Sequence, residues 1–500
     1  MPYLGYYTIR SKQEYIFRTN VMVEITGASI LISEAFDVLF KAADEDGLLR
    51  VRRIPKDMEE RFSLQETLKA FKNGSCQMAE VFRGGGNDTV LFDSEDSFKL
   101  ANACFTRRLQ KECPGMIPLC VGIEVGNNGV WDYAADWGRL MTAVDSKKNS
   151  MTPMDSIAML PFSMIDRKTF QPVAAVLPDR EDREVSAESK AKYDKGQEHN
   201  QTEQSNNELD DLVTEKGNES LLAVVHADGN GMGLKIRNRL NCSEEYDFCI
   251  NQMRDFTEKT ARVFAGNGRS AVEQLAQKKQ ADGSKHAMVR FLICDGDDVT
   301  FVCNARYALD YTKEYLKAVQ KEQGYSSCAG ICIFHSHYPF YMAYDMAEQA
   351  CDSAKKKMRG DKAESPDESW IDFHYVHSGL NGDLNALRES QHTQKRMARP
   401  LSLGRTAANG ADSVEMLDRL ADLLHRLKVT RGNIKALGAA LEADQQLGKN
   451  ELTRIQYRTP GLEEEMNEIT KNRELLLKLF YDLYEIYDLW YRTDGEDEVK

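Results

Sequence analysis

Residues 288–304 read MVRFLICDGDDVTFVCN. Two apolar runs flank Asp295-Gly296-Asp297-Asp298, the pattern of two strands closed by a tight turn. Upstream, LLAVVHADGNGM (221–232) is a buried strand running into a Gly-rich loop and a long helical region. Downstream come a helix over 305–322, a strand CAGICIF (328–334) and a helix ending in DSAKKKMRG (352–360). This order is a βαββαβ unit. In such a sheet the first strand and the central hairpin are neighbours, so Asp228, at the end of one, lies beside Asp297 and Asp298, in the turn of the other.

The N-terminal part repeats the plan. YLGYYTIR (3–10) is the strand and 28–43 the helix; MAEVFRGGGNDTVLFD (78–93) is the hairpin. A helix over 96–112, the strand IPLCVGIEV (117–125) and a helix over 134–148 complete it. Gly86 to Gly122 spans 36 residues and Asp297 to Gly330 spans 33; Gly122 to Lys148 and Gly330 to Lys356 both span 26. Matched spacings of this kind mark a tandem repeat. Residues 184–219 are polar, nearly free of aromatics and read as a solvated linker or surface loop. From Asp412 onward, as in DSVEMLDRLADLLHRL, apolar residues recur at helical spacing. The expected fold class is therefore α+β: two ferredoxin-like βαββαβ domains in tandem (1–183 and 220–400), joined by the linker 184–219 and followed by a helical bundle (401–500).

Composition narrows the function. The 500 residues are 42% hydrophobic and 29% charged, ordinary for globular protein. No run of eighteen apolar residues indicates a membrane span, and MPYLGYYTIRSKQEYIF lacks the features of a secretory signal. Eleven cysteines are scattered without a Cys-x-x-Cys pair, so they read as reduced thiols and the expected address is the cytoplasm. The formal net charge of −14 argues against a dedicated role in coating nucleic acid, where phosphate contacts dominate affinity. Small phosphorylated substrates suit it better.

Carboxylates converging at Asp228, Asp297 and Asp298 are what two divalent ions about 3.5–4 Å apart need for in-line phosphoryl transfer. Magnesium, or manganese in its place, prefers such hard oxygens and takes part of its shell from substrate phosphates. Gly229, Gly231 and Gly233 let the backbone approach a triphosphate, and the helix after Met232 would present free N–H groups. Each stretch alone reads as a turn; their placement at equivalent ends of adjacent strands makes the functional reading the stronger one. Lys355, Lys356 and Lys357 read as a solvated helix end from which one lysine, Lys355 or Lys356, reaches a triphosphate. His335 and His337 lack further ligands at metal spacing, and His374 and His377 read as strand positions.

These residues resemble a family, the CRISPR-associated Cas10 proteins and the compact CRISPR-like polymerases with the same palm domains. The matching stretches are Ala227-Asp228-Gly229-Asn230-Gly231-Met232-Gly233, the Gly-Asp-Asp hairpin, HYPFYMAYDMAEQACDSAKKK (337–357), SWIDFHYVHSG (369–379) and the opening RSKQEYIFRTNVMVEITGAS (10–29). The resemblance covers about 1–400 in tandem-palm layout. It implies a palm related to GGDEF and class III nucleotide cyclase domains, which joins nucleoside triphosphates (ATP favoured) into 3′–5′ linked, often cyclic, oligonucleotide messengers against phage. Carried over, Asp228 and Asp297 would hold the metals with Asp298 and Gly229 in the same site, and the Gly229–Gly233 backbone, including Asn230, would cradle phosphates. The first palm has Gly84-Gly85-Gly86-Asn87 where carboxylates are needed and Arg10-Ser11-Lys12 where the first Asp would sit. It resembles the family's degenerate palm, and its glycines either touch the acceptor nucleotide or only turn a hairpin.

Departures from the family pattern matter as well. Asp295 replaces the first Gly of the usual Gly-Gly-Asp-Asp turn, an extra carboxylate that would crowd phosphates, alter base contacts or bind metal. No nuclease domain or zinc-ligand cluster is visible, and the acidic balance fits poorly with a subunit wrapped around guide RNA. A free-standing synthase is therefore favoured, with a partner or activator engaging the helical tail. The alternatives are a non-catalytic nucleotide-sensing scaffold and a Cas10 subunit of a type III CRISPR effector.

Overall fold

Strand β1 (Tyr3–Arg10) buries six consecutive residues, the mark of a central strand covered on both faces. With β2 (Val51–Arg52), β3 (Met78–Gly84), β4 (Asn87–Phe92) and β5 (Ile117–Glu124) it forms a sheet in the order β2-β3-β4-β1-β5. β1 is antiparallel to both β4 and β5. In a computed structural model, residues 1–45, 47–53, 61–126, 129–151, 163–177, 182–203, 212–213, 220–240, 245–284, 286–360, 368–377, 383–391, 393–404 and 412–491 are described. β6 (Val173–Leu177) and β7 (Arg183–Ser186) make a separate hairpin.

The second large sheet runs β13-β12-β11-β8-β10-β9. Its strands are β8 (Leu221–Gly229), β9 (Val289–Asp295), β10 (Asp298–Asn304), β11 (Ser327–His335), β12 (Ser369–Tyr375) and β13 (Leu401–Leu403). Hairpin, first strand and last strand follow one another here as β9-β10-β8-β11 and in the first sheet as β3-β4-β1-β5. The structure is thus α+β with two ferredoxin-like βαββαβ sheets and a helical C-terminal region, as the sequence pattern requires. One detail of the repeat is corrected by register. Thr8 is the β1 residue opposite the first residue of β4, as Asp228 is the β8 residue opposite the first residue of β10. Counting from those positions along β5 and β11 aligns Gly122 with Ile331, not Gly330. A shift of one residue reverses the face. An added Cβ at Gly122 would meet Tyr3 and Phe98, whereas one at Gly330 would meet the helix Phe340–Gly360 at Ala347 O, 2.0 Å away.

The chain forms two compact units, and neither is a continuous half of the sequence. Unit 1 is Met1–Glu208 with Gly231–Arg262 and Leu292–Asp297; unit 2 is Leu209–Asn230, Val263–Phe291 and Asp298–Lys500. In unit 1, Ile250 and Met253 of the helix Tyr246–Ala261 join Tyr6, Val81, Val121 and Leu140 in one core. Asn251 accepts from Phe62 N at 3.0 Å and Asp247 accepts from Leu64 N at 2.8 Å.

The segment 184–219, expected as a solvated linker, is structured where it is described. After β7 it forms the helix Ala187–Glu203, which lies along the helix Met22–Glu45. Added Cβ atoms at Gly27 and Gly196 would come within 1.8 Å of Lys192 O and 2.0 Å of Val23 O, so the two glycines permit this close crossing. Polar composition misled because the polar groups satisfy one another: Lys192, fully buried, donates to Glu188 and to Tyr15 O, each at 2.6 Å. The remainder, 204–211 and 214–219, lies outside the described residues.

In unit 2 the helices Val414–Arg426, Arg431–Ala443, Gln445–Arg458, Leu462–Ile469 and Arg473–Ile486 form the tail. It is fixed to the sheet by buried charge. Arg399 donates to Asp482 at 2.9 Å and also to Glu485, while Asp482 accepts from Ala398 N and Arg399 N. Burial, opposed by Arg399, pushes the Asp482 carboxyl up to about 7. Trp490 donates to Ala305 O at 2.8 Å and packs edge-on against Phe373. No helix among the described residues is long and apolar enough to cross a membrane.

Candidate active site

Strand pairing brings Asp228 and Asp298 together. They are direct partners across β8 and β10, so their side chains leave the same face of the sheet at about 4.5–5.5 Å between Cβ atoms. Like charges placed opposite each other destabilise a sheet, and such a pair persists where a cation compensates. Asp297 occupies the turn between β9 and β10, one residue before the ladder begins.

The compensating cation comes from the helix Phe340–Gly360. Gly330 lets that helix lie directly on β11, and Cys351, Ala354 and Met358 pack with Cys328 and Trp370. One turn of the same face carries Lys355, 8% exposed, whose ammonium donates to Asp228 Oδ2. Burial disfavours its charge, but Asp228 more than offsets this and holds the lysine above its ordinary value. Lys356 is exposed, and Lys357 faces Asp412 at 3.7 Å. The structure thus brings Lys355, and not Lys356, to the carboxylates. Replacing Gly330 with alanine is expected to push the helix off β11 and cost about 1–3 kcal/mol through overpacking; urea denaturation checks it, and an unchanged midpoint would mean the close approach is not required.

Two groups in this neighbourhood escaped the sequence reading. His226 lies two residues before Asp228 on the same face, with Nδ1 3.1 Å from Thr300 Oγ1 and 3.4 Å from Asp298 Oδ1. Its burial lowers its pKa, so it is neutral at pH 7. Glu348, one turn before Asp352 and two before Lys355, is pushed up by burial, with Asp345, Asp298 and Asp352 adding to the effect. The period of two along β8, and of three to four along the helix, were the available signals.

The Gly-rich loop is anchored rather than free. Asn230, expected among the phosphate-cradling residues, is buried, and its amide donates to Ser326 Oγ at 2.9 Å and Glu368 O at 3.1 Å. Its backbone N–H is bonded to Ser326 O. Gly229 closes β8 opposite Ser327, and Met232 is buried at the start of the helix Met232–Leu240. Gly231 has φ 66°, and an added Cβ at Gly231 or Gly233 would meet open space.

In unit 1 the equivalent cross-strand pair is Thr8 and Asn87. The position of the first carboxylate is therefore Thr8, not the Arg10-Ser11-Lys12 stretch expected from sequence. Thr8 and Asn87 are neutral and cannot replace two carboxylates. Gly84, Gly85 and Gly86 form the hairpin end, the last two at φ 59° and 64°. An added Cβ on Gly84 would lie 1.7 Å from Thr257 Cγ2. Lys12 Nζ donates to Gly86 O at 2.7 Å and sits 3.5 Å from Asp295 Oδ2. The extra carboxylate of the turn therefore faces a lysine ammonium.

A divalent ion can be tested against these donors. Among the described residues no group of three or more His, Cys, Asp or Glu is arranged around one point, so there is no all-protein cage. Two carboxylates as cross-strand partners do fit magnesium, which binds through one or two carboxylates and completes its shell with substrate phosphates and water. Asp228 already has a cationic partner in Lys355.

The strand order β9-β10-β8-β11, with acidic residues where the first strand meets the central hairpin, is the layout of a palm domain. Residues 221–363 match the family model of the Cas10/Cmr2 second palm domain. No curated protein matches the chain. Among solved structures, a Csm1–Csm4 cassette in complex with AMPPNP aligns over 96% of this chain and 69% of that one, with TM-score 0.51 and 12% identity. Csm1 of T. onnurineus aligns over 97% and 69%, with TM-score 0.48 and 13% identity. Residues 221–363 are thus similar to a Cas10-type second palm domain.

Proposed function

We propose that the second palm is a metal-dependent nucleotidyltransferase that joins nucleoside triphosphates, ATP favoured, into cyclic di- or oligonucleotide second messengers. The observation that carries this reading is the Asp228–Asp298 cross-strand pair with Lys355 on Asp228. Asp228 and Asp298, with Asp297 and the Gly229 carbonyl, would hold Mg2+ or Mn2+. When bound, such ions activate the attacking 3′-hydroxyl and neutralise charge on the phosphates. His226 lies beside Asp298 with its Nδ1 on Thr300 Oγ1. Lys355 pairs with the triphosphate, and the backbone at Gly231–Gly233, following the anchored Asn230, would approach its phosphates. AMPPNP in the Csm1–Csm4 cassette supports ATP as the substrate, and Csm4 in that cassette suggests that control comes from a protein partner. The biological setting we propose is antiphage defence in the cytoplasm.

The test incubates the purified protein with each NTP and Mg2+ or Mn2+, with chromatography and mass spectrometry as readout. A metal-dependent oligonucleotide made by the wild type and absent from Asp297→Ala/Asp298→Ala is the expected result. Product formation undiminished in that double variant would sink the proposal. Binding of NTP without turnover, unchanged in the variant, would favour the nucleotide-sensing scaffold.

A further inference from the structure

We infer that Lys355 and the metal ion compete for Asp228, so that metal affinity is set by a built-in ammonium counter-ion. This rests on the metal-site reading above and adds its regulation. Lys355 is nine-tenths buried and its ammonium is hydrogen-bonded to Asp228 Oδ2, an oxygen that a metal would also use. The lysine is held there by its helix: Cys351, Ala354 and Met358 on either side of it are packed against Cys328 and Trp370, so backbone motion cannot simply withdraw it. Its four-carbon stem can swing the head, and the side chain of Asp228 is 37% exposed, so the head has solvent into which to move. A divalent ion arriving at the pair meets an ammonium already neutralising half of its charge. Entry must break a charge-assisted hydrogen bond, which is among the stronger kinds, and must leave the lysine with another anion. Phosphate oxygens of a nucleotide are suited to that second role. The protein would therefore hold metal weakly until a phosphorylated substrate takes the ammonium away.

The test is a Mn2+ titration of the full chain without nucleotide, followed by electron paramagnetic resonance, in the wild type, Lys355→Met, Lys355→Gln and Asp228→Asn. Either neutral variant is expected to bind Mn2+ about tenfold more tightly than the wild type, the size of an ordinary coupling between two bound groups; having two keeps the test usable should one fail to fold. In the wild type, acylation of Lys355 read by mass spectrometry is expected to rise when Mn2+ is added, since displacement exposes the amine. Equal or weaker Mn2+ binding in folded neutral variants, with binding lost in Asp228→Asn, overturns the competition and leaves the metal site standing. Mn2+ binding that survives Asp228→Asn unchanged overturns both readings.

Discussion

Asp298→Asn is expected to lower the rate of nucleotide joining at least about a thousandfold, because several kcal/mol of charge stabilisation pass through such a carboxylate and each 1.4 kcal/mol or so is a factor of ten. The substitution keeps the side chain's shape, its place opposite Asp228 and one oxygen within reach of His226, so it removes charge and little else. Fold stability should hold or rise slightly, since one of two like charges facing each other across β8 and β10 is gone. The measurement is initial rate against metal concentration, with thermal melting alongside. A rate within about tenfold of the wild type, in a protein that melts normally, would show that the pair does not carry the chemistry.

Arg399→Met is expected to cost about 3–5 kcal/mol, as removing one partner of a buried ion pair does. Arg399 is 3% exposed and donates to Asp482, which is fully buried and also accepts two backbone N–H groups. Without the guanidinium, the carboxyl of Asp482 retains those N–H groups but loses its counter-charge, and Asp372, 3.9 Å from Arg399 Nε, loses one of its two neighbouring guanidinium groups and keeps that of Arg388. The tail should come away from the sheet first. Trp490 beside Phe373 reports that step by fluorescence during urea denaturation. Adding Asp482→Leu to Arg399→Met should recover little of the loss, because the buried N–H groups of Ala398 and Arg399 then lose their acceptor. A midpoint unmoved by Arg399→Met would assign the tail's attachment to its apolar contacts alone.

Much of the fold was legible in the sequence because strands buried on both faces announce themselves as apolar runs, and turns of Gly and Asp bound them. Asp228 and Asp298 could be placed side by side from topology alone. What topology could not supply was register: Thr8 and not Lys12 occupies the position of Asp228 in the first sheet, and Gly122 and Gly330 serve opposite faces. Nor could composition reveal the helix Ala187–Glu203, since a lysine and a glutamate that neutralise each other inside look, in one dimension, like residues meant for water. Asn230 shows the same limit on a smaller scale. Its place in the Gly-rich motif suggested a ligand contact, and its amide is spent on Ser326 and Glu368.

Unit 1 takes the helix Tyr246–Ala261 from far along the chain, and this has a consequence for synthesis. As the polypeptide leaves the ribosome, the first βαββαβ unit is complete in sequence by Ser150, yet the apolar surface around Tyr6, Val81 and Val121 waits for Ile250 and Met253. At about 5–20 residues per second, that surface stays uncovered for several seconds while the next hundred residues are made. The nascent protein therefore cannot mature domain by domain from its N-terminus. Unit 1 is finished only after the first strand of the second sheet and the helix Tyr246–Ala261 beyond it have been made, so its completion is tied to the synthesis of unit 2.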